Sequence, residues 1–239
     1  MHTRITSKDN KLIKYISKLK GSKKFRDEEG KFIIEGYNLV SEAYKKGIIE
    51  YILSSKDEEL YESSITVSED IISKLTDTVT PQNILAVVRK ENSALLSNKV
   101  LYLDNIQDPG NLGTLLRSAV AFNFNTVILD NTCDQYNPKV IRATEGAIFK
   151  LSFMNLSLSE LKSKGYKILS TSMHGEDPSK VKIDSKKIVL ILGNEGSGVK
   201  MEYIENSDID LTIPMNNTES LNVAVAGSIL MHELNRTLE

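Results

Sequence analysis

The sequence reads as an α/β protein in two units, a small mixed one over residues 1–92 and a larger one over 98–239 built on a mostly parallel sheet with helices on both faces. Three observations lead there. Strand-sized apolar runs such as IVLIL (188–192) alternate with segments of helical period along the chain, the pattern of a parallel sheet covered by helices. That alternation lapses at ENSALLSNK (91–99) and restarts at Val100, which marks a boundary. Charge is also divided: residues 1–26 carry nine Lys and Arg against one acidic residue, Asp9, in a chain of formal net charge −2. A basic end on an acidic body is a candidate footprint for a polyanion, although a solvated helix face reads the same way on charge alone.

Taken in order, Asp9 is placed to cap a helix whose Leu12, Ile13, Ile16 and Leu19 share one face and which Gly21 ends. A charged turn follows at 26–31. Strand FIIE, helix YNLVSEAYKKG, strands IEYILS and ITV, helix EDIISKL and strand ILAVVRK complete the first unit. In the second, strand VLYLDNI leads to helix NLGTLLRSAVAF capped by Asn111, then strand TVILD, helix PKVIRATEGAIF, strand LSFM, helix SELKSKG, strands YKILSTS, KIVLILG and DLTIPM, and a last helix from about Leu221 to Leu238 capped by Ser220.

Composition excludes several classes. With 40% hydrophobic residues the chain can bury an ordinary core, so disorder is not its theme. No apolar run is long enough to span a membrane, and the N-terminal MHTRITSKDNK lacks the apolar core of a secretion signal, so a cytoplasmic protein with no membrane partner is expected. The lone Cys133 allows no internal disulfide and reads as a small, buried or half-buried hydrophobe. His2, His174 and His232 have no metal-ligand spacing, and no metal is expected.

Ligands of such sheets sit beyond the carboxyl ends of strands, which directs attention to three loops. In NIQDPGNLGTLLRS (105–118), Pro109 and Gly110 turn the chain and Arg117 projects from the second turn of the next helix; the segment suits either a plain connection or phosphate at a helix N-terminus. In LILGNEGSGVK (190–200) three glycines follow a buried strand, yet Val199 stands where a phosphate loop needs lysine, and Lys200 comes one place late with Met201 behind it. Glu195 inside that loop would repel a pyrophosphate. The third, LTIPMNNTESLNVAVAGSILMHEL (211–234), runs into a helix whose small residues Ala224, Ala226, Gly227 and Ser228 allow very close packing.

Taken together and in order, N-x-G-x-x-x-R (Asn111 to Arg117), LGNEGSG (192–198) and IPM with SLNVAVA (213–226) resemble the three signature motifs of the SpoU family of S-adenosylmethionine-dependent RNA ribose 2'-O-methyltransferases, in the SPOUT superfamily. The resemblance covers residues 100–239, and the preceding unit looks like the substrate-binding domain, akin to RNA-binding ribosomal proteins, that many members carry. It implies a trefoil knot, a homodimer through the knotted domain, and S-adenosylmethionine held by Leu192, Gly193, Gly196, Ile213, Met215 and Leu221. Asn111, Arg117, Glu195, Ser220 and Asn222 match the polar positions around the family's reaction centre. The arginine matching Arg117 is proposed in the family to be the base; because a guanidinium does not give up its proton readily, gripping RNA phosphate and stabilising charge on the 2'-oxygen suits it better. Asn123 departs from the pattern, standing where glycine is common. With RNA as the implied partner, Lys14, Lys18, Lys23, Lys24, Arg26 and Arg142, with Lys139 beside it, become candidate phosphate contacts. The separate first unit favours structured ribosomal RNA over transfer RNA; a non-catalytic RNA-binding or ribosome-assembly protein of the same fold is the alternative.

Overall fold

A computed structural model describes residues 4–56, 61, 64–76, 81–91, 95–218 and 220–237. Its chain groups into two compact units, Met1–Glu91 with Asp134–Phe149, and Asn92–Cys133 with Lys150–Glu239. Residues 92–94 at the expected boundary, His2, Glu219 and Leu238 lie outside the described residues.

The first unit runs β1 (Arg4–Ile5), α1 (Lys11–Gly21), α2 (Lys23–Glu29), β2 (Lys31–Glu35), α3 (Tyr37–Lys45), β3 (Ile49–Ser54), β4 (Ser64–Val67), α4 (Glu69–Leu75) and β5 (Ile84–Arg89), with a later segment, α6 (Pro138–Thr144), grouped with it. Its sheet has the order β1-β4-β3-β5-β2, parallel from β1 to β3 and antiparallel at β5. Ile13, Ile16 and Leu19 of α1 are fully buried in a core with Ile33, Leu53, Val67 and Ile71, as their spacing requires. Asn10 rather than Asp9 caps α1, its side chain accepting from Leu12 N at 2.8 Å, while Asp9 pairs with Lys14. The charged stretch expected as a turn is α2, capped by Ser22 and closed by Gly30 at φ 63°. The expected helix 138–149 is broken: Glu145 and Gly146 take left-handed backbone, and a short 3-10 turn, Ala147–Lys150, follows.

The second unit runs β6 (Lys99–Asp104), α5 (Pro109–Ala121), β7 (Thr126–Asp130), β8 (Ser152–Met154), α7 (Leu158–Ser163), β9 (Lys167–Glu176), β10 (Ile188–Leu192), α8 (Met201–Glu205), β11 (Ile209–Leu211) and α9 (Val223–Thr237). All six strands are parallel, in the order β11-β9-β10-β6-β7-β8. Period-two alternation sends Val189 and Ile191 of β10 into a core with Leu161 of α7 and, at its edge, Tyr203 and Ile204 of α8. Leu192 faces the other side, toward α5 and α9. There a Cβ on Gly227 would lie 2.5 Å from both Leu115 and Leu192 side chains, and the Ser118 and Ser228 hydroxyls meet at 2.7 Å. The small residues of α9 thus let it seat directly on α5 and β10. Asn123, at φ 64°, occupies a left-handed position that asparagine tolerates nearly as well as glycine.

Candidate active site

The loop after β6 places the first group. Asp108, not Asn111, caps α5: its carboxylate accepts from Asn111 N at 2.8 Å, and Pro109 takes the first helical position, where a missing N–H costs nothing. The helix cap therefore falls three residues earlier than expected, Arg117 falls in the third turn, and the Asn111 side chain is released from capping. That amide reaches two other loops. Its Nδ2 donates to Glu195 Oε1 at 2.7 Å, and its Oδ1 accepts from Asn222 Nδ2 at 3.0 Å. Asn222 in turn caps α9 in place of Ser220, its Oδ1 accepting from Ala224 N at 2.9 Å and Val225 N at 3.3 Å. Three sequence-predicted residues from three loops are so joined in one polar chain.

Arg117 does not join them. It lies six residues beyond Asn111 on α5, about 9 Å along the axis, exposed and with no hydrogen bond or ion pair to its guanidinium among the described residues. Ser220 is exposed and lies on the cleft beside that polar chain without bonding to it.

The glycine loop shapes the cleft. A Cβ on Gly193 would fall into the backbone of Gly198 and Val199, so only glycine permits this crossing. Asn194 and Gly198 exchange two backbone hydrogen bonds, and Asn194 Oδ1 accepts from Gly196 N at 2.9 Å and Ser197 N at 3.2 Å. The loop borders a cleft of about 540 Å³ at the carboxyl ends of β9, β10 and β11. Leu192, Gly193, Gly196, Ile213, Met215 and Leu221 all line it, with Glu195 and Ser220. The volume, the mainly apolar walls and the exposed loop backbone fit a nucleoside carrying a short polar chain. Other residues lining the cleft were missed, among them Thr171, Ser172, Met173 and His174 toward the end of β9. The signal was there: the apolar Ile168 and Leu169 give way to the polar Ser170, Thr171 and Ser172 toward a carboxyl strand end.

Of the candidate RNA contacts, Lys14, Lys18, Lys23 and Lys24 are exposed on α1 and α2. Lys14 pairs with Asp9 at 2.9 Å, Lys24 stands 3.8 Å from Glu28, and Lys18 lies over the Phe25 ring. Lys139 is exposed, whereas Arg142 is half-buried with Glu35 3.8 Å away. Arg26 is a correction. It is 3% exposed, forks onto Asp134 Oδ2, and donates to the carbonyls of Leu19 and Lys20 at 2.6 and 2.9 Å, so it holds α1 and α2 to the Asp134 segment and is not offered to a polyanion.

Comparison with known proteins bears on this geometry. Residues 98–232 match the family model described as the SpoU rRNA Methylase family, and residues 10–86 match an MRM3-like substrate binding domain. The chain is 39% identical to the 23S rRNA (guanosine(2553)-2'-O)-methyltransferase RlmP of Bacillus subtilis (strain 168), across 96% of this chain and 98% of that one. It is 35% identical to the human mitochondrial rRNA methyltransferase 3 over 56% of this chain and 37% of that one. The crystal structure of an AdoMet-bound rRNA methyltransferase from Sinorhizobium meliloti superposes with a TM-score of 0.86 at 28% identity, covering 99% of this chain and 98% of the other. With its three loops meeting at one cleft, this chain belongs to the SpoU rRNA methylase family.

Proposed function

We propose that the chain transfers a methyl group from S-adenosylmethionine to a ribose 2'-hydroxyl of ribosomal RNA, working in the cytoplasm as a homodimer. One observation carries the reading: the Glu195–Asn111–Asn222 chain joins all three loops beside a cleft that suits the cofactor. Leu192, Ile213, Met215 and Leu221 supply apolar wall, and Gly193 and Gly196 let backbone groups approach closely. The bound cofactor supplies a methyl on a cationic sulfur, which needs no further activation. The chain's task is then to hold the ribose oxygen in line behind that methyl and to stabilise charge as the hydroxyl proton leaves. Asn111 and Asn222, fixed by their mutual bond, orient the ribose with Glu195 and Ser220. Arg117, whose guanidinium has no polar partner among the described residues, grips phosphate and offsets charge on the 2'-oxygen. A trefoil knot formed by the glycine loop and the segment leading to α9 is part of the reading, and the tight passage at Gly193 supports it. Val225 and Ile229, exposed on α9, would form part of the dimer face. Lys14, Lys18, Lys23 and Lys24 would contact phosphate through the first unit.

The test is nucleoside analysis of ribosomal RNA from cells with and without this chain. One 2'-O-methylnucleoside should vanish in the deletion and return with the gene; an unchanged inventory favours the non-catalytic alternative.

A further inference from the structure

Lys200 has no part in the mechanism above, and its sequence position disqualified it as a phosphate-loop lysine. Its surroundings give it another task. The Lys200 backbone N–H donates to Asp104 Oδ2 at 3.0 Å, and its Nζ lies 2.9 Å from Asp104 Oδ1 and 2.5 Å from Asp130 Oδ2. Asp104 ends β6 and is 1% exposed; Asp130 ends β7. A carboxylate as buried as Asp104 persists only with partners, and Lys200 provides both a dipole and a charge. Tyr203 of α8 completes the group, its hydroxyl donating to Asp130 Oδ2 at 2.7 Å while its ring lies 4.9 Å from Lys200 Nζ.

The loop's other end is fastened to the next residue of the same strand end: Asn194 Nδ2 donates to the Asn105 carbonyl at 2.9 Å. Between these two ties lie residues 195–199, all of which border the cleft. Among the described residues they bond only locally to Asn194 and, through Glu195, to Asn111. The shape of the cleft wall therefore depends on where the loop is pinned.

We infer that Lys200 is a positioning residue for the cofactor, pinning the exit of the glycine loop to Asp104 and Asp130 so that the loop's backbone is already arranged when S-adenosylmethionine arrives. The inference rests on the proposed function and deepens it. Lys200 is itself partly exposed, so replacing it opens no cavity in the core.

The experiment is calorimetric titration of the full chain with S-adenosylmethionine, together with steady-state methyl transfer. Relative to wild type, Lys200→Met should raise the Kd and KM for the cofactor by roughly ten- to a hundredfold, as expected for misplaced binding groups, and leave kcat at saturating cofactor unchanged. Lys200→Arg, which keeps the charge, should recover most of the affinity. Asp130→Asn should shift Kd in the same direction and serves if Lys200→Met does not fold. Lys167→Met, which removes the Lys167–Asp184 pair at the opposite end of β9, should leave Kd unchanged. Wild-type affinity in both Lys200→Met and Asp130→Asn overturns the inference, as does an equal loss in Lys167→Met. A wild-type chain that binds no S-adenosylmethionine overturns the proposed function and takes this inference with it, so the two failures are distinguishable.

Discussion

Single side chains divide here between those that hold the structure and those left available. Arg26 belongs to the first group, since its charge partner among the described residues, Asp134, is buried with it. Replacing Arg26 by Met would strand that carboxylate and should destabilise the chain by about 3–5 kcal/mol in urea unfolding, while Asp134→Ala should cost a similar amount. A Lys24→Met change, by contrast, should stay within about 0.5 kcal/mol. Lys200 and Asp130 carry the pH dependence of the loop. The Asp130 hydrogen bond, with Asp104 adding to it, holds the Lys200 ammonium charged above its ordinary range. Burial pushes the Asp130 carboxyl up, but the Lys200 and Tyr203 hydrogen bonds and the Lys200 charge together hold it below the usual carboxylate range. A raised lysine stabilises fully below its unfolded pKa of about 10.4 and loses that contribution as pH rises through its folded value; a depressed aspartate contributes above about 3.9 and loses it as pH falls through its folded value. The contribution of this pair to stability should accordingly stay level from about pH 5 to pH 9. A step in that window by calorimetry would put another group in control of the loop. The polar residues of the motifs were legible because their types and spacing are unusual for plain turns. Which of Asp108 and Asn111 caps α5 was not, since both are good caps and the choice falls to the helix start that Pro109 sets.

At the scale of elements, long periodic segments such as α1, α5 and α9 declare themselves by their buried faces. Short ones do so only when apolar residues stand out, as Ile71, Ile72 and Leu75 do in α4; α2 and α8, with seven and five residues, do not stand out from charged loop. The break at Glu145–Gly146 was hidden for a related reason, because the apolar spacing of 138–149 continues through a turn that changes the backbone. The exposed lysines of α1 and α2 make the element-level prediction. Replacing Lys14, Lys18 and Lys24 together by Gln should weaken RNA binding across sequences and lower the slope of log affinity against log salt by about 2–3. An unchanged slope in filter-binding titrations would reduce these helices to a solvated face.

For the whole molecule, the sequence shows two units but not that the first is discontinuous. Hydrophobic period marks Val140 and Ile141 of α6 as buried; it does not say which sheet they cover, and the segment groups with the N-terminal unit although it lies between strands of the second. Parallel strand order was equally out of reach, because alternation predicts that β6 to β11 are parallel without ranking them. Val225 and Ile229 remain exposed on α9 at 49% and 39%. If that face is the dimer contact, Val225→Glu with Ile229→Glu should convert a dimer to a monomer in sedimentation while unfolding stays cooperative; a wild-type monomer would contradict it.

The central claim is methyl transfer to a ribose hydroxyl with Arg117 at the reacting oxygen, and the most direct measurement supplies labelled S-adenosylmethionine and ribosomal RNA lacking the modification to wild type and Arg117→Ala, then digests the RNA to nucleosides. The account predicts one labelled 2'-O-methylnucleoside from the wild type and a rate lower by about 10²–10³ in the variant, with cofactor affinity retained. Label on a base instead of a ribose, or equal rates from the two proteins, would contradict it.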